Sequence, residues 1–229
     1  MGASRSEHEK TLEKIAQAYS SPPWWYDVRG FFILTFAYRS TLTAQLRLFG
    51  QNMGPDHLEV AVGSGTLTEL VLRWRKWKGL PEVRIVGIDY AEPMLAGAIR
   101  RFAGKPDVEL HLADAAAMPF ADNRFDTANI ANALHCFPDL DAGLREVFRV
   151  LKPEGRLAAN VLLYPRGPQP LRWIANKINA WGMRKGILFS PYEPQDVRRR
   201  MLVAGFEILQ EQISGNTYNV IARKPRASA

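Results

Sequence analysis

The chain of 229 residues has a single cysteine, Cys136, so no internal disulfide can form and multi-cysteine zinc or iron–sulfur chemistry is excluded. Its four histidines (His8, His57, His111 and His135) are scattered and lack the H-x-x-x-H spacing of a helical metal site, so no metal is expected. Long apolar runs are also missing. The most apolar stretch near the start, Phe31 to Ala37, is broken by Thr35 and followed by Arg39, far short of the roughly 20 apolar residues that a bilayer span needs. The opening MGASRSEHEK lacks the apolar core of a signal peptide. A reducing, cytoplasmic setting is the expectation.

What is present is the balance of a globular protein, with 47% apolar and 23% charged residues. Basic residues outnumber acidic ones by 30 to 23, a formal charge of +7. That excess favours anionic surfaces, either nucleic acid or a membrane leaflet, and composition alone does not choose.

Residues 1–50 read as an N-terminal helical and aromatic cap. A helix is expected over Glu9 to Tyr19, Pro22-Pro23 ends it, and a second helix is expected through Phe31–Phe49, closing at Gly50. From residue 51 strands and helices alternate. Strands are expected at Leu58–Val62, Val83–Ile88, Val108–Leu112, Asp126–Ile130 and Arg156–Leu163, separated by helical stretches. Phe206–Ile213 and Thr217–Ala222 are joined by Ser214-Gly215-Asn216, a hairpin turn. The expected fold is α/β: a doubly wound, mostly parallel seven-stranded sheet ending in a C-terminal antiparallel hairpin. Residues 164–192, with three prolines and a basic aromatic stretch around Trp173, read as an inserted lid.

The sharpest local signal is the run Leu58-Glu59-Val60-Ala61-Val62-Gly63-Ser64-Gly65-Thr66, which ends a strand and opens a helix. Glycines there permit a tight turn and close approach of a ligand to backbone N–H groups at a helix N-terminus. No G-K-[ST] follows, which excludes a P-loop, and Thr68 stands where G-x-G-x-x-G needs its last glycine, which argues against a dinucleotide. The next strand ends in Asp89, placed to accept both hydroxyls of a ribose, and a third strand leads into Ala113-Asp114-Ala115, suited to an adenine edge.

The ordered set LEVAVGSGTLTEL, VGIDYAEPMLAGA, ADAAAMPFADNRFDTANIANALHCFPD and LREVFRVLKPEGRLAANV resembles the class I S-adenosylmethionine-dependent methyltransferases, in particular the small-molecule branch of the ubiquinone/menaquinone-biosynthesis C-methyltransferases. The resemblance implies a Rossmann-like methyltransferase fold and S-adenosyl-L-methionine as cofactor. It implies that Glu59, Ala61, Gly63 and Gly65 wrap the methionine part of that cofactor. Asp89 would take the ribose hydroxyls, Tyr90 and Met94 would pack on the adenine, Asp114 and Ala115 would meet its amino edge, and Asn132 would lie near the methionine. Ala61 departs from the glycine that most of the superfamily carries there.

Methyl transfer needs no metal and no enzyme nucleophile, only alignment of donor and acceptor and exclusion of water. His135, after the fourth strand, is the candidate base where the acceptor arrives protonated. Tyr19, Tyr26 and Trp173 are candidate acceptor-facing or lid residues. Asn129-Ile130-Ala131-Asn132 is not the Asn-Pro-Pro-Tyr type of run associated with adenine or amide N-methylation, and Cys136 is not preceded by proline as in a cytosine C5 nucleophile. The expected acceptor is therefore small and apolar, of quinone, lipid or secondary-metabolite kind. Contact with an anionic membrane is expected from the tryptophan-rich basic segments. The alternatives are an RNA-directed methyltransferase using Arg73–Lys78 and Arg198-Arg199-Arg200, or a cofactor-binding regulator without catalysis.

Overall fold

A computed structural model describes residues 41–184 and 191–226. Its elements run α1 (Leu42–Asn52), β1 (Asp56–Val60), α2 (Thr66–Trp77), β2 (Arg84–Asp89), α3 (Glu92–Arg101), β3 (Val108–Leu112), β4 (Phe125–Ile130), α4 (Leu140–Val150), β5 (Leu151–Leu162), α5 (Gln169–Arg184), α6 (Pro194–Val203), β6 (Glu207–Ser214) and β7 (Thr217–Arg223). The seven strands lie in the order β3-β2-β1-β4-β5-β7-β6. Neighbours from β3 to β5 are parallel, and β7 is antiparallel to both β5 and β6. The expected doubly wound sheet with its closing hairpin is what forms.

Several strand boundaries shift by one or two residues, and two elements differ by more, each for a local reason. The helix expected from Phe31 begins at Leu42, because Thr41 is extended and caps it, its hydroxyl accepting the Ala44 N–H at 3.2 Å. Residues 31–40 lie outside the described residues. The helix also runs past Gly50 to Asn52. A side chain at Gly50 would meet the Trp74 ring at 2.7 Å, so the glycine lets α1 and α2 approach closely. The buried Arg75 guanidinium then donates to the carbonyls of Gly50 and Pro81. The second difference is β5, which starts at Leu151 instead of Arg156. Lys152-Pro153-Glu154-Gly155 forms a kink inside it, with Glu154 at φ +67° and the register shifting between Phe125/Leu151 and Thr127/Arg156.

The two faces of the sheet are unlike. One carries the main apolar core, with Leu58, Val60, Ile88, Ile130 and Leu157 packed against Leu144 and Val147 of α4 and Met201 of α6. The other has a small apolar cluster of Phe49, Met53, Val71, Ile85 and Ala158. Beside that cluster, the alternate residues of the central strands are buried and polar: His57 and Glu59 on β1, Thr127 and Asn129 on β4, and Asn160 on β5. Gln45 and Asn52 of α1 are buried with them.

Residues 113–124, which contain Asp114, have no regular structure of their own. They are tied down by α4. Glu146 accepts the Met118 N–H at 2.7 Å, and Arg149 donates to the Phe120 carbonyl at 2.7 Å, the Met118 carbonyl at 3.1 Å and Asp122 at 2.7 Å. Hydrogen bonds from Arg149 hold the Glu146 carboxyl below its ordinary range. The Glu-x-x-Arg spacing puts both side chains on one helix face toward this loop. Arg149→Ala is expected to lower unfolding stability by about 2–4 kcal/mol, since several carbonyls and a carboxylate lose a charged donor. Arg149→Lys should recover only part, because one ammonium cannot reproduce the fork. Urea denaturation of the three proteins checks this.

Candidate functional site

The strands β1, β2, β3 fan to one side of the sheet and β4, β5 to the other, so the chain reverses direction between β1 and β4. Ligands of open α/β sheets bind in the crevice at the carboxyl ends of such strands. Both central strands end here in a left-handed residue, Ala61 at φ +57° after β1 and Asn132 at φ +55° after β4. Asparagine tolerates that conformation; alanine pays about 1–2 kcal/mol for it.

The glycine turn is built by three bonds. Val62 N–H donates to the Ile88 carbonyl at 2.9 Å, Gly65 N–H to the Val62 carbonyl at 3.1 Å, and Gly63 N–H to Asp89 Oδ2 at 2.7 Å. The Gly63 and Gly65 N–H groups are thus committed inside the protein, so their contribution is shape rather than donors for an anion. Gly63 (φ +59°) would place a Cβ no nearer than 3.7 Å to its closest neighbour, Met94 Cε, which lies beneath the turn. Gly65 (φ +75°) would drive a Cβ to 2.5 Å from the Phe102 ring, so close packing on the end of α3 requires it. From outside, Arg101 donates to the Ser64 carbonyl at 3.0 Å and pairs with Glu69 at 2.7 Å.

Asp89 closes β2 and is buried. Its Oδ1 accepts the Ala91 N–H at 2.8 Å while Oδ2 holds Gly63. The Tyr90 N–H donates to the carboxylate as well, so of its roughly four lone-pair sites about one is left for a ligand hydroxyl. Burial is the larger influence on its acidity and pushes its pKa up to about 6, against the lowering by backbone N–H donors. Tyr90 is half-buried and Met94 buried beside it. Asp114, after β3, accepts the Ala116 N–H at 2.9 Å, which shapes the turn there, and Ala115 is half-buried against the main core. Parallel register brings Asp89, Asp114 and Asn132 to the same edge.

Asn132 is held from both sides. Its N–H donates to Asn160 Oδ1 at 2.5 Å, Asn160 Nδ2 returns a bond to Asn132 Oδ1 at 2.8 Å, and Asn132 Nδ2 donates to Gln45 Oε1 at 3.0 Å. Glu59 points into the polar seam, where Oε1 accepts from Asn129 Nδ2 at 3.1 Å and from His57 Nε2 at 3.2 Å. His135 sits on a 3₁₀ turn, Leu134–Cys136, and is buried. Burial pushes its pKa down to about 3, which leaves it neutral and a feeble base near pH 7. Trp173 lies on α5, away from any core, and is 61% exposed. Tyr19 and Tyr26 lie outside the described residues.

Sequence reasoning missed His57, Asn129, Asn160, Gln45 and Arg101. The available signal was the pattern His-x-Glu and Thr-x-Asn in two interior parallel strands, where apolar residues are the norm. The basic runs, by contrast, dissolve into structural partners. Arg75 is buried, Arg73 pairs with Glu69 at 2.8 Å, Arg200 with Asp141 at 2.5 Å and Arg198 with Glu211 at 3.5 Å. Among the described residues no cluster of His, Cys, Asp and Glu could hold a metal, and no helix is long and apolar enough to cross a membrane.

Residues 58–159 match the family described as "Methyltransferase domain". The chain is 41% identical over 113 residues to the demethylmenaquinone methyltransferase of Thermus thermophilus, a match covering 49% of this chain and 48% of that protein. It is 36% identical over 99 residues to the ubiquinone/menaquinone biosynthesis C-methyltransferase UbiE of Desulfotalea psychrophila, covering 43% and 38%. These matches span half the length of the relatives or less. In fold it is similar to a putative methyltransferase from Bacillus halodurans, with a TM-score of 0.63 at 21% identity over 80% of this chain and 98% of that one. The matched segment holds the glycine turn, Asp89, Asp114 and Asn132, the residues that the sheet brings to one edge.

Proposed function

We propose that the chain transfers a methyl group from S-adenosyl-L-methionine to a small apolar acceptor of the quinone-biosynthesis kind. The observation that carries this is the pairing of a glycine turn without crowding side chains and a buried carboxylate, Asp89, at the end of the neighbouring strand. The residues suit the cofactor. Asp89 closes β2 with acceptor capacity left for a ribose hydroxyl, Asp114 stands one strand further for the adenine edge, and Glu59 with the turn accounts for the amino-acid end. When bound, the cofactor supplies an electrophilic methyl on a sulfonium, whose sulfur keeps the electron pair of the broken bond.

The protein's own work is positional. Holding donor and acceptor in line contributes on the order of 7–11 kcal/mol toward the barrier. The Asn132–Asn160–Gln45 amide chain fixes the β4 edge of the crevice, and α5, with Leu171, Trp173 and Ile174 exposed, would serve as the lid. The first relative is named for demethylmenaquinone, and the second is named as a C-methyltransferase of ubiquinone/menaquinone biosynthesis. His135, neutral and weakly basic, fits a wall of the acceptor space better than a base. At an activated acceptor carbon, as in a hydroquinone, the ring proton displaced by the methyl group would leave to water.

The test is incubation with methyl-labelled S-adenosyl-L-methionine and a reduced demethylnaphthoquinone, with total RNA in a parallel arm. Label in the quinone fraction is expected. Label confined to RNA, or cofactor binding without transfer to any acceptor, would overturn the reading.

Asp89 makes cofactor affinity pH-dependent. Its folded pKa lies above the ordinary carboxylate value, so the buried carboxyl adds stability to the fold in its neutral, protonated form, and that contribution is lost as pH rises from about 4 through about 6. The ribose hydroxyls need the ionised form. The dissociation constant is therefore expected to be flat above pH 7 and to rise about tenfold per pH unit below 6. Asp89→Asn should bind about 10–100-fold more weakly at pH 7.5, with that slope abolished. Calorimetric titration across pH 5–8 measures both.

Membrane contact is proposed from a second surface. Trp77 is 75% exposed, and Lys78 lies over its ring at 4.2 Å beside a groove of about 610 Å³ lined by Arg47, Trp74 and Leu80. Apolar walls with cationic rims suit the interface of an anionic bilayer, which would also hold an apolar acceptor. Flotation with phosphatidylglycerol vesicles at low salt should retain the protein, and Trp77→Ala with Lys78→Glu should release it. No retention ends the idea.

A further inference from the structure

His57 is fully buried, yet it belongs to no part of the reaction so far described. Its surroundings fix its hydrogen-bonding sense. Gly54 N–H, which can only donate, reaches Thr127 Oγ1 at 2.8 Å. Thr127 Oγ1 is 2.7 Å from His57 Nδ1 and is left with its own proton to give. Glu59 Oε1, a carboxylate oxygen that can only accept, takes its hydrogen bond from Nε2 at 3.2 Å, so Nε2 carries the ring proton and Nδ1 accepts from the Thr127 hydroxyl. The relay thus runs from the backbone of Gly54 through Thr127 and His57 to one oxygen of Glu59. Asn129 Nδ2 donates to that same oxygen from the neighbouring strand at 3.1 Å.

The consequence lies in the other oxygen. Oε2 of Glu59 receives no hydrogen bond from a described residue, and it is not among the buried polar atoms without a partner, so it keeps access to open space. Two donors on Oε1 prevent the carboxylate from rotating to exchange its oxygens. We propose that His57, backed by Thr127, is a positioning residue. It turns one oxygen of Glu59 inward and presents the other to the ammonium at the amino-acid end of the methyl donor. The inference rests on the methyl-transfer reading above and deepens it: affinity for the amino-acid half of the ligand is set by a side chain behind the site that never touches it.

A pair of ligands separates this from simple structural support. S-adenosylhomocysteine and 5′-methylthioadenosine are both uncharged at sulfur and share the nucleoside, but only the first carries the amino-acid end. In calorimetric titrations of the full chain, His57→Val should weaken S-adenosylhomocysteine about tenfold, the worth of one misplaced charge-assisted bond, and leave 5′-methylthioadenosine within about twofold. His57→Gln, which can place an amide N–H near the position of Nε2, should restore most of the loss. Where His57→Val melts below the working temperature, Thr127→Val removes the anchor while keeping the ring, and the same selective pattern is expected with a smaller shift. Equal losses for both ligands, or no loss for either, would overturn the proposal. Failure of the wild-type chain to bind either ligand would instead sink the methyl-donor reading, and the inference with it.

Discussion

The hydrogen bond from the Gly63 N–H to Asp89 Oδ2 joins the end of one central strand to the end of the next, and the crevice takes its shape from it. A turn of this tightness has few ways to be held, since its two glycines lack side chains with which to anchor it. Asp89 supplies the anchor from outside the turn, and Arg101 supplies a second from beyond it through the Ser64 carbonyl. Burial of the carboxylate works against the fold, as its raised pKa records. A group that costs stability where it stands, and whose remaining lone pairs face a crevice, has the character of a site residue rather than a packing residue.

The second constraint is the contrast between the faces of the sheet. Beneath α4 and α6 the strands present an ordinary apolar surface. Beneath α1 they present an imidazole, a carboxyl, a hydroxyl and amides, nearly all in contact with one another. Buried polar groups hold a single arrangement when every member is bonded and cost most when one is not. Two atoms of α1 fall short, Gln45 Nε2 and Asn52 Oδ1, both buried without a partner. The seam is therefore well determined along β1 and β4 and less satisfied where the helix covers it. It continues at the carboxyl edge in the Asn132–Asn160 pair, so the side chains that border the crevice there belong to a connected polar lattice.

Much of this was legible in the sequence. Strand–helix alternation and the Ser-Gly-Asn turn foretold seven strands and a closing hairpin, because apolar runs and turn residues report directly on burial and direction change. The glycine turn and Asp89 were legible for the same reason: a left-handed backbone and a carboxylate at a strand end leave a mark in residue type. Arg75 and Arg101 were not legible, since an arginine that caps a distant carbonyl looks the same in sequence as one in water. His57 escaped because its role exists only in the register with Thr127, which pairs residues 70 apart. The helix through Gly50 was misjudged because the closeness of Trp74, and not the conformational freedom of glycine, decides that position.

Charge shows the same divide between composition and arrangement. An excess of +7 suggested an anionic partner, yet many of the arginines serve the fold: Arg149 ties down a loop, Arg223 links Glu154 and Glu207, and Arg75 holds the end of α1. At the carboxyl ends of β1, β2 and β3 the sign is reversed, with Glu59, Asp89 and Asp114 converging on one crevice. A focused acidic cleft in a basic protein selects for a ligand that carries positive charge, because the nearby carboxylates act at short range while the scattered cations are screened or paired. A sulfonium bearing an ammonium meets that requirement, and the neutral thioether left after transfer meets it less well. On the proposed function, the same electrostatics would draw the donor in and favour release of the spent product.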